Sequence, residues 1–136
     1  GILTGIRPHT EETARQSAGI LRRQGVQTVL ITLGARGALL VTDRGTRRIP
    51  APRVEAQDTT AAGDAFNGAL ACALGSGAPL RDAVAFANCA GALSVTRRGA
   101  QPSLPTRGEI EKLMASDSKN TGDHRYPVRT YRSSAR

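Results

Sequence analysis

The chain has 136 residues, enough for one domain with a modest hydrophobic core. Nineteen Lys and Arg stand against eleven Asp and Glu, a net charge of +8, and Arg outnumbers Lys 17 to 2. That balance suits anionic ligands, but the aromatics are only Phe66, Phe86, Tyr126 and Tyr131 and the basic residues are scattered, which argues against a nucleic-acid platform. Cys72 and Cys89 fall in apolar helical runs without metal-ligand spacing, predicting two buried free thiols and a reducing, cytoplasmic setting. No stretch of the 136 residues reads as a signal peptide or reaches the length of a membrane span.

In chain order, Thr10 is a candidate N-cap before Glu11 and Glu12; Ala14, Ala18 and Leu21 then recur at helical spacing and Gly25 supplies a stop. Residues 26–33 are apolar and β-branched, as in a buried parallel strand, and a helix followed by such a strand suggests an α/β layer. Thr32-Leu33-Gly34-Ala35-Arg36-Gly37 is a tight glycine turn at the strand's carboxyl end, where open α/β sheets bind ligands. For a bare Gly-x-x-Gly the plainer reading is a hairpin turn into residues 38–42. Asp43-Arg44-Gly45 turns the chain between short strands at 38–42 and 46–49, and Pro50 and Pro52 end the pattern.

Asp58-Thr59-Thr60-Ala61-Ala62-Gly63-Asp64-Ala65-Phe66-Asn67-Gly68 organises the rest. Polar, helix-avoiding residues pass through small ones into a strong helical run, so free N–H groups and a positive dipole end face whatever binds there. Asp64 either caps this helix or acts on a bound group. The helix, from Gly63 to about Gly75, is apolar nearly all round, as if buried against a sheet. Residues 75–79 end it and start another, from Leu80 to about Thr96, whose small residues allow close packing. Asn88 interrupts that surface as a candidate core amide. Residues 96–105 form a loop with one glycine and two prolines, and Thr106-Arg107-Gly108-Glu109 has capping-box spacing before a short helix with Ile110, Leu113 and Met114. From Ala115 the composition turns polar, with five basic residues against two acidic ones, and disorder is expected through Arg136, with His124 solvated.

The Asp58 to Gly68 string resembles the second signature of the ribokinase-like (PfkB) family of sugar kinases, and the Gly34-Ala35-Arg36-Gly37 turn and the Arg98-Gly99-Ala100-Gln101-Pro102-Ser103 string resemble that family in the same order. The resemblance implies an α/β fold: residues 1–114 as the C-terminal part of a three-layer αβα sandwich with a mainly parallel sheet, and 115–136 as a basic tail. The absence of an initiator Met and the match of Gly1 to Ile6 to a segment that follows an Asn-x-x-Glu motif lead to the expectation of a C-terminal fragment of a homodimeric kinase. The implied activity is phosphorylation of ribose at its 5-hydroxyl with ATP, Mg2+ and K+, the fragment alone being inactive. Another sugar or nucleoside kinase of the family, or a non-catalytic basic module binding through its tail, are the alternatives.

Residue by residue, the resemblance makes Asp64 the catalytic base that meets the sugar, and the amides of Ala61, Ala62, Gly63 and Asp64 an anion hole. ATP would meet Thr32, Leu33, Gly34, Ala35, Arg36, Gly37, Gly63, Asp64 and Asn88. Potassium would be held by Asp58, Thr60, Ser94, Arg97, Gly99 and Ser103, several through main-chain carbonyls. Magnesium would ride on the nucleotide phosphates.

Overall fold

The computed structural model describes residues 2–99 and 104–121. The chain divides into two compact units, Gly1–Pro50 and Ala51–Arg136.

The first unit opens with helix α1 (Glu11–Arg23). Thr10 caps it: its Oγ1 accepts from the Thr13 amide at 3.1 Å, and its own amide donates to Thr13 Oγ1 at 3.0 Å. This is a capping box with Thr in the place usually held by Glu or Gln. Three strands follow, β1 (Val29–Thr32), β2 (Ala38–Thr42) and β3 (Gly45–Ile49), in the order β1-β2-β3. The small face of α1, Ala14 and Ala18 with Leu21, packs on Val29, Leu33, Leu39 and Val41 to form the unit's core.

The sheet corrects one expectation. Both of its pairings are antiparallel, with Val29 opposite Val41 and Leu39 opposite Arg48, where a mainly parallel sheet was expected. The connection decides it. Only the short turn around Gly34–Arg36 separates β1 from β2, and a parallel pair needs a crossover of a dozen or more residues. Gly34 and Gly37 take positive φ of 59° and 94°, which a β-carbon would strain, and Leu33 N donates to Gly37 O at 2.7 Å to close the turn. The first strand is also shorter than residues 26–33. The Arg22 guanidinium donates to the carbonyls of Val26 and Gln27, tying them to the end of α1, and Val26 is 40% exposed.

The second unit is helical, with α2 (Ala62–Gly75), α3 (Leu80–Val95) and α4 (Arg107–Thr121). Ala65, Phe66, Ala69 and Ala73 form the buried side of α2. On α3, small residues let the helices approach: a β-carbon at Gly91 would stand 3.5 Å from the Ala62 carbonyl oxygen. The expectation that α2 is buried against a sheet is not met within this unit. Asn67, Gly68, Ala71, Cys72 and Leu74 are exposed, because one helix partner covers only one stripe of an apolar cylinder. Cys72 is therefore on the surface, against expectation, while Cys89 is buried.

Helix α4 runs through Ala115 to Thr121, beyond the expected end near Met114. The Ser116 and Ser118 hydroxyls donate to the carbonyls of Leu113 and Met114, both at 2.9 Å, so the polar composition is accommodated within the helix. Neither Gly nor Pro interrupts residues 109–121. The tail from 122 onward, where disorder is expected and His124 is expected to be solvated, lies outside the described residues, as do Ala100, Gln101, Pro102 and Ser103. Among the described residues no helix is long and apolar enough to cross a membrane.

Burial raises the Cys89 thiol to about 12, aided by the charge of Asp117, so it stays protonated and sheltered. A colourimetric thiol reagent should therefore titrate one cysteine per native chain, Cys72, and two after denaturation; two fast-reacting thiols in the native protein would contradict this packing. Leu39 is fully buried between α1 and the sheet. Leu39→Ala should lower stability by about 3 kcal/mol in chemical denaturation.

Candidate functional site

The loop before α2 is anchored through its own backbone. Gln57 N and Asp58 N both donate to the Val95 carbonyl, at 2.7 and 3.1 Å, which fastens the loop to the C-terminal end of α3. The helix then begins at Ala62 with Ala61 as N-cap and no side-chain capping bond. Among the described residues the amides of Ala61, Gly63 and Asp64 have no protein acceptor, and the Ala62 amide makes one long bond of 3.3 Å to Thr59 O. An uncapped terminus of a 14-residue helix is suited to an anion, since unsatisfied N–H groups and the dipole act together. Asp64 is exposed in this first turn.

Asp58 is the most heavily bonded side chain of the loop. Its Oδ1 accepts from the Thr60 amide at 2.9 Å and the Thr60 hydroxyl at 2.6 Å, and its Oδ2 accepts from the Gly99 amide at 3.1 Å. The Thr60 hydroxyl, then the Thr60 and Gly99 amides, hold its carboxyl below the usual carboxylate range, with the charge of Arg98 adding to them. Asp58, Thr60 and Gly99 thus meet directly. Ser94 is buried in the last turn of α3, and its carbonyl accepts from the Arg97 amide at 3.2 Å. Ser103, the remaining expected cation ligand, lies outside the described residues.

The Asp58 carboxylate and the Thr60 hydroxyl are hard oxygen donors, the type a monovalent cation takes. No group of three or more His, Cys, Asp or Glu that could hold a metal ion occurs among the described residues.

Sequence reasoning missed an ion pair beside this loop. Arg97 Nη2 lies 2.6 Å from Glu109 Oε1, while Glu109 Oε2 accepts from the Thr106 amide and hydroxyl at 2.7 and 2.9 Å. The Thr106 amide, then Arg97, then the Thr106 hydroxyl bring the Glu109 carboxyl down to about 2. The capping-box spacing signalled the Thr106 half of this arrangement; nothing in the sequence signalled Arg97. Also unanticipated is a groove of about 240 Å³ running from Asp64 past Gly68 and Cys72 to Phe86, Leu104 and Arg107. Arg107 lies over the Phe86 ring, 5.9 Å from its centroid, and donates to Ser76 Oγ at 3.2 Å.

Asn88 is 4% exposed in the middle of α3, and no buried side-chain polar atom among the described residues lacks a hydrogen-bond partner, as the core-amide reading requires. The turn from Thr32 to Gly37 belongs to the first unit, where the Arg36 guanidinium donates to His9 O at 3.0 Å.

Residues 1–107 match the model of the pfkB family of carbohydrate kinases. The chain belongs to that family. It is 44% identical over 113 residues to ribokinase of Haemophilus influenzae, covering 83% of this chain and 37% of that protein. It is also 44% identical over 103 residues to aminoimidazole riboside kinase of Salmonella typhimurium, covering 72% and 32%. Among solved structures, Arabidopsis thaliana ribokinase complexed with ribose and ATP superimposes with a TM-score of 0.75 at 34% identity, over 82% of this chain and 36% of that one. Phosphofructokinase-2 of Escherichia coli in complex with potassium gives 0.70 at 27% identity, over 82% and 36%. The fold is thus ribokinase-like α/β, and the chain spans about a third of the length of these relatives.

The carboxylate of Glu109 ties stability to pH. Its folded value of about 2 is below the ordinary 4.5, so its contribution is complete above 4.5 and is lost as pH falls toward 2; Asp58 acts in the same direction. Melting temperature should fall over that acid window, and Glu109→Gln should flatten part of the fall. Superimposable profiles for the two chains would contradict the assignment.

Proposed function

We propose that this chain supplies the phosphoryl-transfer half-site of an ATP-dependent ribose kinase that phosphorylates the sugar at its 5-hydroxyl. The observation that carries the reading is the uncapped N-terminus of α2, where the free amides of Ala61, Gly63 and Asp64 share one turn with the Asp64 carboxylate. Asp64 is the catalytic base: it accepts the proton of the attacking hydroxyl, which makes that oxygen a better nucleophile. The amides of Ala61, Gly63 and Asp64, with that of Ala62 once its 3.3 Å bond is released, form the anion hole that stabilises charge on the transferring group. ATP supplies the phosphoryl group, with Mg2+ carried on its phosphates.

Gly63, Asp64 and Asn88 are the nucleotide-binding residues proposed in the second unit; in the first unit, taken by itself, the turn of Thr32, Leu33, Gly34, Ala35, Arg36 and Gly37 is proposed to bind nucleotide on the family resemblance alone. Asp58, Thr60, Ser94, Arg97, Gly99 and Ser103 are the proposed potassium ligands. Their role is to hold the loop that presents the anion hole, and the bonds of Asp58 to Thr60 and Gly99 support it. The potassium complex of a related phosphofructokinase supports the choice of ion. We further propose that the 136-residue chain alone turns over ribose poorly or not at all, consistent with its spanning about a third of its relatives.

A second reading within the family, phosphorylation of a nucleoside-like riboside, is favoured by the equal 44% identity to an aminoimidazole riboside kinase.

Amide spectra of the labelled chain titrated with MgATP in potassium buffer test the anion hole. The resonances of Ala61, Gly63 and Asp64 should move most, and unmoved amides there would sink the assignment. In turnover assays with ATP, Mg2+, K+ and ribose, the chain should match its Asp64→Asn variant near background. A wild-type rate about 100-fold or more above that variant would overturn the expected inactivity while supporting Asp64 as the base.

A further inference from the structure

The groove of about 240 Å³ begins at Asp64 and follows one face of α2, where Asp64, Gly68 and Cys72 recur every four residues. Eight residues of helix make that face about 12 Å long. A pentose whose reacting hydroxyl meets Asp64 reaches roughly one helical turn along it, about 5 Å, so the groove is longer than a free sugar needs. Arg107 stands at the far end: its Nη2 lies 3.6 Å from Cys72 Sγ, and its guanidinium lies 5.9 Å from the centroid of the Phe86 ring. Apart from Asp64, Cys72 and Arg107 the lining side chains are apolar, with Phe86, Leu104 and Ile110 the largest. Walls of this kind suit a flat ring and offer little to a second set of sugar hydroxyls.

Two further observations bear on what the groove takes. A β-carbon at Gly68 would meet no atom within 4 Å, so the middle of this helix face is open space kept clear by the lack of a side chain. Asn88, the proposed nucleotide residue of α3, does not line the groove, although Phe86 and Ala90 of the same helix do.

We propose that this groove is an aglycone subsite, which accepts the planar heterocycle of a riboside whose 5-hydroxyl is presented to Asp64. This rests on the phosphoryl-transfer reading given above and deepens it by naming the part of the substrate that this groove selects. The sugar lies against the first turn of α2, the heterocycle passes over Gly68, and a ring carbonyl or ring nitrogen accepts from Arg107. A guanidinium carries five N–H donors, and the bond of Arg107 to Ser76 Oγ at 3.2 Å holds it at the end of the groove.

The test uses Cys72 as a reporter, since it is exposed in the groove while Cys89 is buried. The 136-residue chain is alkylated with iodoacetamide in the presence of inosine, a riboside with a ring carbonyl, or of ribose at the same concentration. Inosine should slow the labelling of Cys72 with a definable midpoint, and ribose should leave the rate within two-fold of the free chain, roughly. Gly68→Leu places a side chain in the groove and favours the helix, so it should fold and raise the inosine midpoint by about ten-fold or more. Equal protection by ribose and inosine would overturn the subsite, as would an inosine midpoint unchanged by Gly68→Leu. Absence of inosine protection, in a chain whose Ala61, Gly63 and Asp64 amides still respond to MgATP, would overturn the subsite and leave the phosphoryl-transfer reading standing. Protection by inosine in a chain whose amides ignore MgATP would overturn that reading, and with it the assignment of the groove to a kinase substrate. Should Gly68→Leu fail to fold, the wild-type amide shifts of Gly68 and Ala69 with inosine decide: their movement supports the subsite and their silence overturns it.

Discussion

A single carboxylate joins the two loops of the helical unit. Asp58 accepts from Thr60 two residues ahead and from Gly99 forty-one residues away, so the start of α2 and the end of α3 are held together through one side chain. The Val95 carbonyl, taking the amides of Gln57 and Asp58, reinforces the same junction. With that junction made, the positive end of one helix and the negative end of another lie on neighbouring segments. An anion is favoured at the first and a cation at the second. The same backbone can serve both charges because helix termini carry unpaired groups of opposite kind, N–H at one end and C=O at the other.

The other unit is built from different physics. Its core is the small-residue face of α1 against the inner residues of a meander, and its turns are set by glycines with positive φ. The short connections leave no room for a crossover, so antiparallel pairing is the only arrangement that β1, β2 and β3 can adopt among themselves. Such a meander is compatible with membership of the α/β family. The chain covers about a third of its relatives' length, and a locally antiparallel strand set is common within larger mixed sheets.

Local signals were legible wherever one residue decides a local bond. Thr10 caps α1 and Glu109 closes on Thr106, as their spacing indicates, and the starts of α2 and α3 fall within one residue of the positions that the small residues and Pro79 mark. Signals that depend on neighbours were not legible. The direction of β1 depended on the partner it meets, and the exposure of Cys72 on how many sides of α2 are covered. Composition at residues 115–121 suggested an end to the helix, yet hydroxyl groups that bond back to the preceding turn allow a polar helix to continue.

The candidate site divides the same way. The sequence by itself determined the family, the loop that leads into α2 and the position of Asp64 in its first turn, because these follow from residue type and order along one continuous segment. Only the tertiary structure decided that Asp58 meets Gly99, that Arg97 meets Glu109, and that a groove opens beside Asp64. Each of those contacts joins segments whose separation along the chain carries no information about their distance, until the packing of α2, α3 and α4 sets it.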